Sequence, residues 1–209
     1  MTTALIGRRS ARARTGATAD LLAVGLGNPG SEYAHTRHNV GADAVAIVAQ
    51  RHGAVLRAER GTSSRAAAVA SGDRRLALAI PVTYMNDSGI ALVALVRRYS
   101  VDDAASIVVV HDELDLPVGV VRVKLGGGTA GHNGLKSVEQ HLGTLEFVRV
   151  RIGIGKPPGR MPGADYVLRR PSAAESELLF GAVERAADAV ELIFSTGLDA
   201  AMTAVNAGG

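Results

Sequence analysis

One stretch near the start of the chain, residues 21–41 (LLAVGLGNPGSEYAHTRHNVG), limits the possible folds most strongly. It opens with the apolar run of residues 21–24, which is typical of a buried strand. Glycines and a proline follow, so the backbone must turn sharply instead of extending the strand. Polar residues come next, and residues 40–48 then show apolar side chains at helical spacing. A strand, a tight turn, a polar cluster and a helix predict the rim of an α/β sheet, where ligands bind.

Short apolar runs and helical segments alternate through the rest of the chain. Strands are predicted at residues 54–59, 66–70, 76–80, 107–110, 120–125 and 147–154, and helices at 40–52, from the PVTYMNDSG run to 99, at 133–142, at 172–197 and at the chain end. The Asn-Asp-Ser of PVTYMNDSG is expected to cap its helix, and Ser172 and Glu175 form a capping box. We therefore expect a single-domain α/β fold, a three-layer sandwich in which helices flank a twisted, mixed and largely parallel sheet.

Composition excludes several classes of protein. The chain has 209 residues, 47% of them hydrophobic and 21% charged, which indicates one globular domain and not a disordered chain. Cysteine is absent, which excludes disulfides, thiol nucleophiles and cysteine-based zinc sites and fits a cytoplasmic location. No apolar run approaches the roughly 20 residues that a membrane helix needs, so no membrane association is expected.

Positive charge is concentrated in two regions. Residues 1–19 carry four arginines and no acid, so removing them from 23 basic and 20 acidic residues leaves 19 and 20, a net charge of −1. We expect residues 1–19 to be a disordered extension and residues 20–209 to form the domain. Between residues 118 and 161 only two acids, Glu139 and Glu146, accompany a larger set of bases: Arg122, Lys124, Lys136, Arg149, Arg151, Lys156 and Arg160. A solvated face would explain this set, but its segregation favours an anionic partner.

Two glycine-rich loops invite a comparison with nucleotide-binding motifs. GLGNPG at residues 25–30 has the spacing of a dinucleotide fingerprint, which requires a helix that starts within the motif and an acidic residue about 20 residues further on. Pro29 and a long polar insertion come first here, so an NAD-dependent oxidoreductase is only a minor alternative. The loop GGGTAGHNGLKS is no phosphate-binding P-loop, because Leu135 separates Gly134 from Lys136.

His38 is the histidine with the most informative surroundings. A glycine turn precedes it, and a second predicted strand ends near Asp112. A carboxylate that accepts from one imidazole nitrogen leaves the other free to take a proton from water. Asn28, Asn86 and Asn133 each lie next to a turn, where a lone asparagine is usually a cap. If they converge on His38, they could hold an amide or ester substrate, but the sequence does not show whether they converge.

A metal site is the alternative use of the histidines. His35 and His38 are spaced as a metal-binding pair on one helical turn would be. However, no H-E-x-x-H motif accompanies them, so no metal is expected.

Five motifs together resemble one family. GLGNPGSEYAHTRHNVG, PVTYMNDSG, HDELDLPVG, KLGGGTAGHNGLKS and RVRIGIGKPPG, in this order and spacing, closely resemble bacterial peptidyl-tRNA hydrolases over roughly residues 21–197. The resemblance implies a monomeric, single-domain α/β enzyme without metal or cofactor. It also implies hydrolysis of the ester that joins a peptide to the 3′ end of a tRNA, which recycles tRNA from stalled translation, with peptidyl-tRNA as the partner.

The same resemblance implies roles for individual residues. His38 would be the catalytic base and Asp112 its orienting carboxylate. The other implied contacts are Asn28, Asn86 and Asn133 to the substrate, Tyr33 to the tRNA, and Lys124 and Arg151 to the tRNA 5′-phosphate. Ala130 departs from the family's usual glycine, and the end of the chain, AMTAVNAGG, lacks the usual Asn-Arg tail. An RNA-binding module that has lost catalysis is the remaining alternative, although the catalytic set is complete.

Overall fold

The computed structural model describes residues 18–207, and their strands form a single sheet. The strands are β1 (Leu21–Gly25), β2 (Arg57–Glu59), β3 (Ser64–Ser71), β4 (Arg74–Pro81), β5 (Ile107–Glu113), β6 (Val121–Leu125) and β7 (Val148–Gly153). Most of the predicted N-terminal extension, residues 1–17, lies outside the described residues. Its last residue, Ala19, donates its backbone N–H to the Tyr99 carbonyl at 2.9 Å.

The helices lie on both faces of this sheet. They are α1 (Val40–Arg51), α2 (Ser88–Tyr99), α3 (Asn133–Leu142), α4 (Gly163–Val167), α5 (Ala173–Thr196) and α6 (Leu198–Ala207). One apolar core lies between the sheet and α1, α5 and α6, and a second lies between the sheet and α2 and α3. The predicted three-layer α/β sandwich is therefore confirmed. Within residues 18–207, no helix is long and apolar enough to span a bilayer.

The sheet is mixed, with its parallel strands at the centre. The strand order is β2-β3-β4-β1-β5-β7-β6. Strands β4, β1, β5 and β7 run parallel, whereas β2, β3 and β6 join antiparallel at the edges. Central strands are covered on both faces, and β1 accordingly is buried throughout. The carboxyl ends of the four parallel strands meet at one edge, where the predicted polar clusters follow β1, β4 and β5.

Glycines allow α1 to approach the strands closely. A Cβ atom on Gly41 would overlap the Val110 carbonyl, and one on Gly25 would overlap the Gly41 carbonyl. The carbonyl of Val110 also accepts the Leu26 N–H at 3.0 Å, beyond the end of β1. Side chains larger than hydrogen at these two positions would push α1 away. The start of α1 is thereby held against β1 and β5, directly after the turn that contains His38.

Three details differ from the sequence-based expectations. Strand β5 continues through the polar residues His111, Asp112 and Glu113, all buried, because β7 pairs with it as far as Glu113. Helix α4 lies in a proline- and glycine-rich segment that has no clear helical pattern. The Asn-Asp-Ser run makes no side-chain cap on α2, whereas the predicted Ser172 capping box on α5 is present.

Candidate active site

His38 and Asp112 meet at the carboxyl edge of the sheet, as the sequence suggested. His38 lies in a short 3₁₀ turn, Arg37–Asn39, and Asp112 lies in β5; both are buried. The distance from His38 Nδ1 to Asp112 Oδ1 is 2.8 Å. Because an ionised carboxylate only accepts, Nδ1 carries the proton in this bond, and Nε2 of the neutral ring is left with a free lone pair. His38 can therefore act as a base through Nε2.

A second histidine, His132, binds the same carboxylate oxygen and was not singled out from the sequence. Its Nε2 lies 2.9 Å from Asp112 Oδ1. Its Nδ1 accepts the backbone N–H groups of Gly134 and Leu135 at 3.1 and 3.3 Å and so caps α3. These amides fix the tautomer, since Nδ1 must be unprotonated and Nε2 must donate to Asp112. The only sequence signal was its place before a helix start, where Ser, Thr, Asp or Asn is the usual cap.

The two imidazoles keep Asp112 ionised. Burial by itself would raise the pKa of Asp112, but His38 and His132 outweigh it and hold that pKa well below its usual value. Behind them lies His111, whose Nδ1 donates to the Asp112 backbone carbonyl at 2.7 Å. Burial, and then the neighbouring His132 ring, lower the pKa of His111 to about 3. His111 is therefore neutral and adds no positive charge beside the cluster.

A pocket of about 250 Å³ opens beside this cluster. His38, Asp112, His132 and Asn133 line it, and so do Ala164 and Val167 of α4. The unpredicted helix is thus a wall of the candidate site. A pocket lined by both polar and apolar side chains suits a ligand with one reactive polar group and an apolar body.

The other two predicted asparagines lie next to this pocket but do not line it. Asn28 uses its side-chain oxygen to accept the Met85 N–H at 2.8 Å. The Sδ atom of Met85 lies 2.6 Å from where a Cβ on Gly134 would stand, so the loop that carries Asn86 packs against the start of α3. Asn86 and Asn133 are both exposed on these neighbouring loops. The structure therefore brings the three asparagine loops together, with Asn133 alone of the three in the pocket lining.

Tyr33 lies in the short 3₁₀ turn Ser31–Tyr33 and contacts the loop that carries Asn86. Its ring packs edge to face against Tyr84, with ring centroids 6.4 Å apart. Tyr84 is 55% exposed, so the pair offers an aromatic surface to the solvent. Exposed aromatic rings can stack on nucleotide bases.

The predicted basic residues of β6 and β7 form one cationic face. In the antiparallel register, Arg122 is opposite Arg151 and Lys124 is opposite Arg149. Burial, followed by repulsion from Arg151 and Arg149, lowers the pKa of Lys124. The neighbouring strand supplies Glu113, whose carboxylate binds Arg151 Nε and Nη2 at 3.1 and 3.0 Å. This face can hold a phosphate.

The cationic face and the pocket share one residue. Glu113 lines the pocket that contains His38 and also holds the guanidinium of Arg151. Other members of the predicted basic set lie elsewhere: Lys156, for example, is 3.3 Å from Asp115 and largely exposed. The segregation of charge seen in the sequence thus divides into a compact face on β6 and β7 and scattered surface residues.

The hydrogen bonds of the histidine cluster disfavour a metal ion. In the described part of the chain, His38, Asp112 and His132 could hold an ion, since their ligand atoms lie within 4.8 Å of one another, and His35 is not in this group. Coordination through His132 Nε2 would move its proton to Nδ1, where it would oppose two backbone N–H donors. Metal-binding histidines normally donate from the second nitrogen. His38, Asp112 and His132 are therefore better suited to a hydrogen-bonded network than to a metal site.

Dinucleotide binding at the first glycine loop is also disfavoured by the backbone. The fingerprint needs a helix N-terminus at the glycines. Helix α1 begins only at Val40, after two 3₁₀ turns.

Comparison with known proteins identifies one family. The family model for peptidyl-tRNA hydrolase matches residues 22–209. The chain belongs to the peptidyl-tRNA hydrolase family. The peptidyl-tRNA hydrolase of Chloroflexus aggregans is 48% identical over 185 residues, which cover 88% of this chain and 98% of that protein. That of Mycobacterium tuberculosis strain H37Ra is 48% identical over 187 residues, covering 90% and 97%.

Solved structures give the same result. The crystal structure of peptidyl-tRNA hydrolase from Acinetobacter baumannii superposes with a TM-score of 0.84 at 37% identity and covers 92% of this chain and 98% of that one. The predicted family, with its α/β fold and its hydrolase class, is confirmed.

The two departures from the family pattern have visible structural consequences. Ala130 lines the pocket with a φ of 47°, a left-handed conformation that favours glycine. At the C-terminus, Asn206 of α6 accepts the Val123 N–H and donates to the Val123 carbonyl, both at 2.9 Å. Asn206 thereby satisfies part of the free edge of β6, the strand that carries Lys124. The altered tail still supports the cationic face.

Proposed function

We propose that this protein hydrolyses the ester bond between the peptide and the tRNA of peptidyl-tRNA, with His38 as the general base. The observation that carries the proposal is the 2.8 Å bond from His38 Nδ1 to the buried Asp112, at the side of a pocket large enough for an ester group. This bond orients the ring and stabilises the charge that develops when Nε2 takes a proton. His132 holds Asp112 from the other side.

The reaction follows from these positions. A water molecule gives a proton to His38 Nε2 as its oxygen bonds to the ester carbonyl carbon. The C–O bond to the terminal ribose then breaks, and the imidazolium returns the proton to the leaving ribose oxygen. Asn133 is the side chain best placed to donate to the developing oxyanion or to the peptide backbone, with Asn28 and Asn86 on the adjoining loops.

The tRNA part of the substrate is expected to lie along the Tyr33–Tyr84 pair and the cationic face. Tyr33 would contact the acceptor end, and Lys124 and Arg151 would bind the 5′-phosphate. Arg151 is pre-oriented for this by Glu113. Arginine offers phosphate a planar fork and lysine a point charge, so the two residues are not redundant.

The protein is expected to act in the cytoplasm as a monomer that comprises one domain, residues 20–209. Cysteine is absent from the sequence, which fits a reducing compartment. The monomeric state follows from the family resemblance, and sedimentation equilibrium of the purified protein would check it.

The test is release of peptide from purified peptidyl-tRNA, with His38→Ala as the control. We expect turnover by the unaltered protein and almost none by the variant. An RNA-binding module without catalysis would bind the substrate but release nothing. An oxidoreductase would instead show saturable NAD binding.

A further inference from the structure

Arg149 of β7 is a buried cation without a carboxylate partner among the residues described. Its side chain is fully enclosed, at 1% exposure. The guanidinium donates through Nη2 to the Gly127 carbonyl and through Nη1 to the Gly128 carbonyl, and it lies 4.8 Å from the centre of the Phe147 ring. Burying a charge against neutral acceptors is costly, and an apolar side chain could fill the same space more cheaply. This cost indicates that the bonds to the loop serve a purpose.

The loop that Arg149 holds connects the two parts of the candidate site. It leaves β6 after Leu125, which pairs with Val148 at the start of β7. It ends at His132, whose partner Asp112 pairs with Ile152 near the end of β7. The loop therefore travels along about four residues of β7, roughly 13 Å at 3.3 Å per residue.

Few other bonds fix this loop. At the beginning of the loop, the backbone N–H of Gly126 donates to the Phe147 carbonyl at 3.0 Å. At its end, the backbone N–H of His132 donates to the Thr129 carbonyl at 2.9 Å. Gly126, Gly127 and Gly131 have positive φ angles, so the chain here has the conformational freedom of glycine. Between these ends, Arg149 donates to two loop carbonyls, and the Lys124 side chain packs against Gly127. The residues that follow directly, from Ala130 to Asn133, line the pocket.

Arg149 is also separate from the proposed phosphate contact. It lies opposite Lys124 and two residues before Arg151. Its Nη atoms, however, donate to the loop carbonyls, its Nε is buried without a partner, and its side chain is closed to solvent. Its charge reaches Lys124, whose pKa it helps to lower. A phosphate, however, has no path to its guanidinium.

We infer that Arg149 is a positioning residue for the reaction: by holding the Gly127 and Gly128 carbonyls, it sets the loop that places His132 against Asp112 and Asn133 in the pocket. The inference rests on the proposed function. It predicts that Arg149 acts on the chemical step, whereas its neighbour Arg151 acts on tRNA binding.

The test compares Arg149→Met, Arg149→Lys and Arg151→Met on two substrates, peptidyl-tRNA and a peptidyl ester of adenosine that lacks the 5′-phosphate. We expect Arg149→Met to lower kcat about 10- to 100-fold on both substrates, as a displacement of catalytic groups by about 1 Å would. The KM for tRNA and its salt dependence should change little. Arg149→Lys keeps the charge but loses the fork, so it should recover only part of kcat.

Arg151→Met is the matched control, since it removes a guanidinium from the same strand and face. It should raise KM for peptidyl-tRNA and change kcat on the small ester much less than Arg149→Met does. If Arg149→Met gives this same pattern, Arg149 is a phosphate-binding residue and the inference is overturned. An unchanged kcat on both substrates would overturn it equally.

An NMR measurement tests the position of His132 without relying on turnover. It remains informative if Arg149→Met fails to fold, and also if the unaltered protein releases no peptide. The Nε2–H proton of His132 should be detectable by ¹⁵N–¹H NMR as a slowly exchanging, hydrogen-bonded signal. In Arg149→Lys this signal should shift and exchange faster with water. An unaltered signal would refute the positioning role, while absence of turnover in the unaltered protein would refute the proposed function alone.

Discussion

His111 gives the acid sensitivity of this fold a specific source. The ring is enclosed in β5, its Nδ1 donates to the Asp112 carbonyl, and its Nε2 is buried without a hydrogen-bond partner. Burial, and then His132, lower its pKa to about 3. In the unfolded chain the pKa of a histidine is about 6.5. The unfolded state therefore binds a proton that the folded state does not bind. As a result, the free energy of unfolding decreases as the pH falls from about 6.5 towards 3.

The size of this effect follows from the two pKa values. At pH 4.5 the unfolded His111 is almost fully protonated, about two units below its pKa, while the folded His111 is still neutral. At about 1.36 kcal/mol per unit, the contribution to the loss of stability between pH 7 and pH 4.5 is about 2.5 kcal/mol. Asp112 contributes little in this window, because its folded pKa is lowered and its stabilisation is lost only nearer pH 4 and below.

The assay compares thermal unfolding of the unaltered protein and His111→Asn at pH 7 and pH 4.5. Asparagine can still donate to the Asp112 carbonyl, but it does not titrate. We expect the fall in Tm on acidification to be about 5 to 10 °C smaller in the variant, at roughly 2 to 4 °C per kcal/mol for a domain of this size. An equal fall in both proteins would show that His111 does not set the acid sensitivity.

The other expectations concern catalysis and binding. His38→Ala should lower turnover by about two to four orders of magnitude with folding intact, and Asp112→Asn by less; near-normal turnover in His38→Ala would remove the base assignment. Activity should survive exhaustive chelation, whereas loss with rescue by zinc would make His38, Asp112 and His132 metal ligands. Lys124→Ala combined with Arg151→Ala should raise KM more than it lowers kcat and reduce the log–log salt slope by about one to two units. An adenosine ester without the 5′-phosphate should be nearly indifferent to that double change, and an equal loss on both substrates would contradict the assignment of these residues to the phosphate.

The sequence predicted the layers of the fold because each strong signal was local. The apolar run of β1, the capping box at Ser172 and the alternation in β7 are all patterns within one element. The ends of strands were predicted less well where pairing with a strand distant in the sequence, and not local composition, decides where the strand ends. Strand β5 extends through Asp112 and Glu113 because β7 continues beside it, and no local pattern could report that. Helix α4 has only five residues, too few to show a period.

For the candidate site, the sequence predicted residues at strand ends and missed those that depend on loop paths. His38 follows β1 and Asp112 lies near the end of β5, and the carboxyl ends of these parallel neighbours necessarily meet. His132 reaches Asp112 only because a glycine-rich loop runs along β7, and glycine-rich sequence does not specify one path. Glu113 looked like a loop residue, and its bond to Arg151 depends on the register between β5 and β7.

Two histidines that look equivalent in the sequence have different chemistry because of what binds their second nitrogen. His38 and His132 each place one ring nitrogen within 2.9 Å of Asp112 Oδ1. The Nδ1 of His132 is occupied by the N–H groups that begin α3, so a second proton there would break both bonds and the helix cap. In the proposed reaction, the proton taken from water would therefore reside on His38, with the ionised Asp112 beside it. A helix cap would then decide which imidazole of this cluster is the base and which is a fixed neutral donor.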